Sequence, residues 1–197
     1  MRELINQQQM AQIGRALGEQ AVQLQRDHIN KQQGVQGGSF PSLASSTVKA
    51  KQKDKRGGVR GNATMRMKAT NDFVQNAFQY EINSDSVTVF ISHLPHKQNK
   101  TYNARQAYDT RAKHGKTNRK EKPTYVNKQG QVITYEDIAG WQLSGDYDQG
   151  KRSDNNPGAD FIGFSRNDEY IMTNTFVQVA YPIIKGNIID AIEDAIK

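Results

Sequence analysis

The chain has 197 residues, 35 % of them apolar, with a mean hydropathy of −0.83. That composition predicts one domain with a modest core and much of its length in loops or arms ordered by partners. There is no cysteine, so disulfide and thiol chemistry are excluded. The net charge of +7 is unevenly spread: residues 49–68 carry eight Lys or Arg against Asp54 alone, residues 97–128 ten positive against two negative side chains, and residues 129–197 five positive against eleven negative.

Basic blocks in the middle and an acidic end suit a subunit that meets its own copies head to tail. They equally suit a surface near nucleic acid phosphates, and the plainest reading is two solvated loops. No apolar run approaches the roughly 20 residues that span a bilayer, and the first residues do not read as a signal peptide. The expectation is a soluble protein made in the cytosol, with no membrane partner.

Residues 2–32 read as one long helix. Leu4, Met10, Ile13, Leu17, Ala21, Leu24 and His28 or Ile29 recur at steps of three and four on a Gln-rich cylinder. Gly14 and Gly18 either weaken it or let another backbone approach closely. Gly34, Gly37 and Gly38 are expected to end it. Phe40 then stands before Pro41, which forces an extended or turn entry, and Leu43 follows. A residue of the Ser45, Ser46, Thr47 cluster caps a short helix through Val48 to Lys53.

The remainder of residues 49–68 reads as a mobile basic loop, a docking element whose Lys49, Lys51, Lys53, Lys55, Arg56 and Arg60 face a partner or DNA. Met65 to Tyr80 shows Met67, Phe73, Val74, Ala77 and Phe78 at helical spacing, with Asn71 or Asp72 as cap. Val87, Val89 and Ile91 alternate with Thr88, Phe90 and Ser92, a strand whose second face, carrying Phe90, is expected to be partly covered too.

A polar, basic stretch follows from His93 to Lys122. Pro123 to Tyr135 reads as a β-hairpin around Asn127–Gly130, with Tyr125 and Val126 on one side and Val132, Ile133 and Tyr135 on the other. The expectation is an inserted arm over about residues 97–135. Arg111, Lys113, Lys116, Arg119, Lys120, Tyr125, Val132 and Ile133 would reach a neighbouring subunit. Residues 136–145 form a short apolar turn or helix with the only tryptophan, Trp141. Ser165 is a plausible cap, residues 167–183 could be strand or helix, and Ile184 to Ile196 is an amphipathic helix with Ile188, Ile189, Ile192 and Ile196 on one stripe.

Chemistry is sparse. No phosphate loop, nucleophile elbow or HExxH is present. His93 and His96 lack two further ligands at useful spacing for zinc. Asp146, Asp148, Asp154, Asn155 and Asn156 suggest a calcium loop, but Lys151 stands at the glycine position and Pro157 at the closing acid. The reading is of a protein without catalysis, cofactor or metal.

Three separated pieces, in order, resemble the bacteriophage virion-morphogenesis or tail-completion family, whose members form part of the neck between capsid and tail. SFPSLASSTVKAK, residues 39–51, is similar to the family's F-x-P-L-S-x-x-T-x-x-x-K run through Phe40, Leu43, Ser45 or Ser46, Thr47 and Lys49 or Lys51. IAGWQLSG, residues 138–145, resembles Y-A-x-x-H-Q-x-G-G through Gln142 and Gly145, with Trp141 where histidine is usual. PGADFIGFSRND, residues 157–168, resembles P-A-R-P-F-L-G-x-S-x-x-D through Pro157, Phe161, Ile162, Gly163, Ser165 and Asp168. In two places the chain departs from the family: Asn76 replaces the serine of a T-G-x-L-x-x-S step, and residues 93–134 are longer and more basic than usual.

The resemblance implies an α+β fold, a small, mostly antiparallel sheet flanked by long amino- and carboxy-terminal helices. It implies a single tail-completion domain over 1–197, with Phe40, Leu43, Trp141, Phe161, Ile162 and Gly163 as its packing signature. It further implies a ring of copies, six being the expected order, at the head–tail junction of a virion. The partners would be the head–tail adaptor or connector and tail tube or sheath proteins, with genomic DNA in the channel. The alternative is a nucleic-acid-binding module using the two basic segments. Against that stand the lack of aromatics among the charges of residues 49–68 and the absence of any helix-turn-helix or RNA-binding signature.

Overall fold

The computed structural model describes residues 5–53, 61–68, 72–94, 133–144 and 159–196. Seven elements follow in order: α1 (Gln7–Lys31), α2 (Ser45–Lys53), α3 (Asp72–Asn76), β1 (Phe78–Ile82), β2 (Val87–Ile91), α4 (Tyr135–Ser144) and α5 (Arg166–Ile196). The fold is α+β. β1 and β2 pair antiparallel, Phe78 opposite Ile91, Tyr80 opposite Val89 and Ile82 opposite Val87. Helix α1 lies on this hairpin, and α5 packs on α1.

Local chemistry starts α1. Asn6 Oδ1 accepts from the Gln9 N–H at 2.9 Å while Gln9 Oε1 accepts from the Asn6 N–H at 3.0 Å, a capping box that satisfies two otherwise orphaned donors. Its end is set by Gln32, not by the glycines. Gln32 takes the left-handed conformation at φ 54°. The Gln33 N–H then donates to the His28 carbonyl at 3.0 Å, closing the last turn. The glycines serve the next step: Gly37, at φ 83°, reverses the chain so that Gln33 bridges Ser39 and Phe40 enters the core.

Gly14 and Gly18 permit close approach. A Cβ built on Gly14 would lie 2.7 Å from Ile82 Cγ2, and one on Gly18 would lie 2.2 Å from Tyr80 Cδ2. The alternation of the strand puts Phe78, Tyr80 and Ile82 on one face, so each meets α1 in turn. Gly18→Ala gains about 1 kcal/mol of helix propensity but incurs about 1–3 kcal/mol of overpacking. It is expected to lower stability slightly and Gly18→Leu severely. A thermal melt in which the leucine variant matches the parent would show that Tyr80 swings away freely.

The core is aromatic. Phe40, Phe73, Phe78, Tyr135 and Phe161 meet edge to face in five pairs with centroids 6.0–6.5 Å apart. That is the arrangement the ring quadrupoles favour. Val22, Ile29, Val74, Ala77, Ala139 and Ala159 fill the space around them.

Three expectations are corrected here. Residues 65–80 are not one helix: Met67 sits at φ 56°, α3 spans only Asp72–Asn76, and Phe78 opens a strand. Residues 61–68 are not a solvated loop, for Arg66 is fully buried and Met67 packs against the core. Tyr135 is not the end of a hairpin strand. It is the first residue of α4, capped by Thr134, whose hydroxyl accepts from the Asp137 N–H at 3.2 Å.

The carboxy-terminal region is one helix of 31 residues, α5, continuous through Pro182. Proline removes the bond to the carbonyl four residues back, and the cost is tolerated because Gln178 and Pro182 both face water.

Candidate functional site

The three signature segments, far apart in sequence, converge on one joint. From the first, Phe40 is buried and meets Phe161 of the third at 6.5 Å, and Leu43 is buried beside this entry. From the second, the Gln142 carbonyl accepts from the Ala159 N–H at 2.8 Å, tying α4 to the third. Of the six packing residues expected there, Phe40, Leu43 and Phe161 are buried, Gly163 and Trp141 partly so, and Ile162 is exposed. Ile162 points outward because Phe161 points in, and the adjacent Gly163 turns the chain at φ 129°. The residue of the second segment that is buried is Gln142, next to Trp141.

Helix α1 receives this joint through a series of polar contacts. The buried Gln25 side chain donates to the Gly163 carbonyl at 2.5 Å and accepts from the Gly163 N–H at 3.3 Å. The Val35 N–H donates to the Asp160 carbonyl at 3.0 Å. Asp168, at the start of α5, accepts at Oδ2 from the Ser165 N–H and hydroxyl, both at 2.7 Å, and lies 3.0 Å from His28 Nε2. Burial pushes the Asp168 carboxyl up, but the Ser165 bonds and the neighbouring His28 outweigh it and hold the group below the usual carboxylate range.

His, Asp and Ser therefore meet, yet not as a relay. The carboxylate takes both donors on one oxygen, so Ser165 bonds Asp168 instead of the imidazole. A base must reach the nucleophile's proton directly, and here the trio is a helix cap braced by a histidine. His28 Nδ1 is buried with no partner among the described residues.

A second set of bonds locks residues 61–68 under the first signature segment. Gln32 donates to the Arg66 carbonyl at 3.1 Å and accepts from the Arg66 N–H at 2.7 Å. Arg66 Nε donates to the Pro41 carbonyl at 2.7 Å. Arg26 donates to the last carbonyls of α3, Val74 at 3.1 Å and Gln75 at 2.8 Å.

Of the basic-loop residues, Lys49 and Lys53 are exposed on α2. Lys51 is half-buried and donates to the Met65 carbonyl at 2.6 Å. Burial and then the charge of Arg66 lower its pKa, so it belongs to the packing and not to a phosphate-facing row. Lys55, Arg56 and Arg60 lie outside the described residues, as do Arg111, Lys113, Lys116, Arg119, Lys120, Tyr125 and Val132. Ile133 is buried in this chain, which removes it from any surface offered to a neighbour.

His93 pairs with Glu136 at 2.6 Å on the surface, and His96 lies outside the described residues. Among the described residues no three His, Asp or Glu converge as metal ligands, and no helix is long and apolar enough to cross a membrane. An open groove of about 520 Å³ between α1 and β1 is lined by Glu19, Val22, Gln23, Arg26, Phe78, Gln79 and Tyr80. Arg26 is committed there to α3, and no serine, threonine or histidine lines the groove to act as nucleophile or base.

Sequence reasoning missed Gln25, Gln32, Arg26 and Arg66. Gln25 had a readable signal: it is a polar residue on the apolar stripe, between Leu24 and Ile29, and so required a buried partner. Arg66, between two methionines in a basic run, had none. Comparison with known proteins finds no matching family model, no matching curated protein and no matching solved structure.

Proposed function

We propose that the chain is a structural subunit of a phage neck, a tail-completion protein whose copies form a ring joining the capsid connector to the tail, with no catalysis. One observation carries the reading. The three segments that resemble the family's signature, residues 39–51, 138–145 and 157–168, meet at a single joint although as many as 105 residues of chain lie between them. Short motifs that match by chance have no reason to share a core, whereas parts of one inherited fold do.

Phe40, Leu43 and Phe161 at the centre of the joint are buried in packing, so its role is to hold a shape. The exposed parts are then what a partner would meet: Lys49 and Lys53 on α2, and the long outer face of α5. In a closed ring each copy shows the same two surfaces to its neighbours, so charge of opposite sign on two faces is satisfied all round. The basic segments would serve neighbouring subunits or face DNA in the channel.

Light scattering and electron microscopy of the purified chain, alone and with capsid connector and tail components, test this. The expected result is a ring of defined order that seats at the junction. A chain that stays small, binds duplex DNA and loses affinity steeply with salt would instead be a nucleic-acid module. Turnover of nucleic acid, peptidoglycan or nucleotides would remove the structural reading altogether.

A further inference from the structure

Helix α5 is held firmly over its first half and lightly beyond it. Asp168 and Ala180 are buried, at 4 % and 1 % exposure, and Ala180 is the last buried residue of the helix. Residues 188–196 are exposed without exception. Between the two stretches stand Pro182 and Gly186, about one helical turn apart. Just past them the side chains of Asn187 and Gln9 of α1 exchange amide hydrogen bonds at 3.0 and 2.9 Å.

Pro182 and Gly186 both weaken a helix, and packing accounts for neither. The two long helices, α1 and α5, hold three glycines. Gly14 and Gly18 are needed where Ile82 and Tyr80 press on α1. A Cβ built on Gly186, by contrast, meets nothing within 4 Å, and the backbone there is not left-handed. Alanine would fit at that position and the helix would favour it. Pro182 is exposed, and its missing N–H leaves the Gln178 carbonyl without its helical donor. Sharp bends in helices fall at such residues, and a hinge is a few positions that absorb a change in backbone angle.

We propose that residues 182–186 are a hinge on which the last part of α5, residues 187–196, swings relative to α1, with the Gln9–Asn187 amide pair as its latch. The helix is kept on both sides of the bend, as it is at proline kinks. The strengths of the attachments fit this division. At the start of α5, Asp168 is held by Ser165 and His28 in a buried, charge-assisted network. At the latch, neutral amides on half-buried side chains exchange bonds that water replaces at small net cost. One end of α5 is therefore fixed while the other opens. The device goes beyond the neck reading, since it belongs to the single chain whether or not copies close a ring.

The cysteine-free sequence admits pairs of spin labels on exposed cysteines, with the separation in each pair read by pulsed electron resonance. Gln23→Cys with Asn174→Cys spans the fixed half. Gln12→Cys with Ile188→Cys and Gln12→Cys with Ala195→Cys span the hinge. All five positions are exposed, so the fold is expected to stand, checked by unchanged circular dichroism and melting. The expected result is one narrow separation across the fixed half and two separations for each pair across the hinge. Pro182→Ala combined with Gly186→Ala should leave one separation everywhere, and Asn187→Ala should move the population to the longer one. Gly186→Ala alone should slow amide exchange at residues 183–187 by about fivefold, the factor that its gain in helix propensity supplies.

A single narrow separation at both 188 and 195 in the parent would overturn the hinge. Two separations at 195 with one at 188 would do the same, because that is a fraying end. Two separations that persist after Pro182→Ala and Gly186→Ala would place the motion elsewhere and overturn it as well.

Discussion

Phe161→Ala is expected to lower stability by about 3–5 kcal/mol and to leave little soluble protein. Phe161 has no exposed surface and touches Phe40, Phe73 and Phe78 edge to face. Truncation removes the apolar area and three ring contacts at once, and the space cannot close without moving α1, the hairpin and the loop from Gln32 to Phe40 together. Domains of this size are stable by about 5–15 kcal/mol, so one residue accounts for about a fifth or more. Ile162→Ala next door is the control: its side chain is 40 % exposed and the change should cost much less. Denaturant titration of both variants decides it. Equal midpoints would mean that the joint does not hold the core.

Asp168→Ala should come next, at about 3–5 kcal/mol, since it breaks a buried charged network and strands the donors of Ser165 and His28. The same carboxylate fixes the sign of an acid limb. Its pKa in the folded chain is held below the usual 3.8, so the stability it contributes is present above that value and is lost as pH falls through the folded pKa. The parent should therefore weaken as pH falls below about 4. Asp168→Asn should start weaker at neutral pH and show a shallower decline across that window. A variant with the parent's acid limb would assign the limb to other carboxylates.

How far the sequence foretold this depends on the backbone more than on the residues. The stripe of α1 was legible because a polar cylinder carries one apolar line. Residues 184–196 were legible as helix through their isoleucine stripe, whereas residues 167–183 were not, because their β-branched and aromatic side chains suit strand and helix alike. Met67, Phe73, Val74, Ala77 and Phe78 do all reach the interior, which is why their spacing looked helical. They reach it through a left-handed turn, five residues of helix and a strand, and spacing alone cannot distinguish these routes. The α4 start was written in the sequence as Thr134 followed three residues later by Asp137, but Val132, Ile133 and Tyr135 beside a glycine turn gave a strand-like pattern that outweighed it. The joint was half legible: Phe40 and Phe161 stood out by size, while Gln25 and His28 had no partner in view until α1 was set against residues 160–168, nor Gln32 until it was set against Arg66.

The pairing of α1 with α5 has a bearing on how the protein comes to be folded. Its two polar anchors connect residues 178 and 140 positions apart in sequence. On a growing chain α1 emerges well before its outer partner α5. Loop closure over such a distance must be met before any packing rewards it, so the final docking step should be slow compared with formation of the hairpin. Until then α1 presents Gln25, His28 and Gln9 without their partners, a state in which neighbouring nascent copies compete for the same groups. Production should accordingly depend on temperature and expression rate more than the stability of the finished fold would suggest, with slower synthesis yielding more correctly joined molecules.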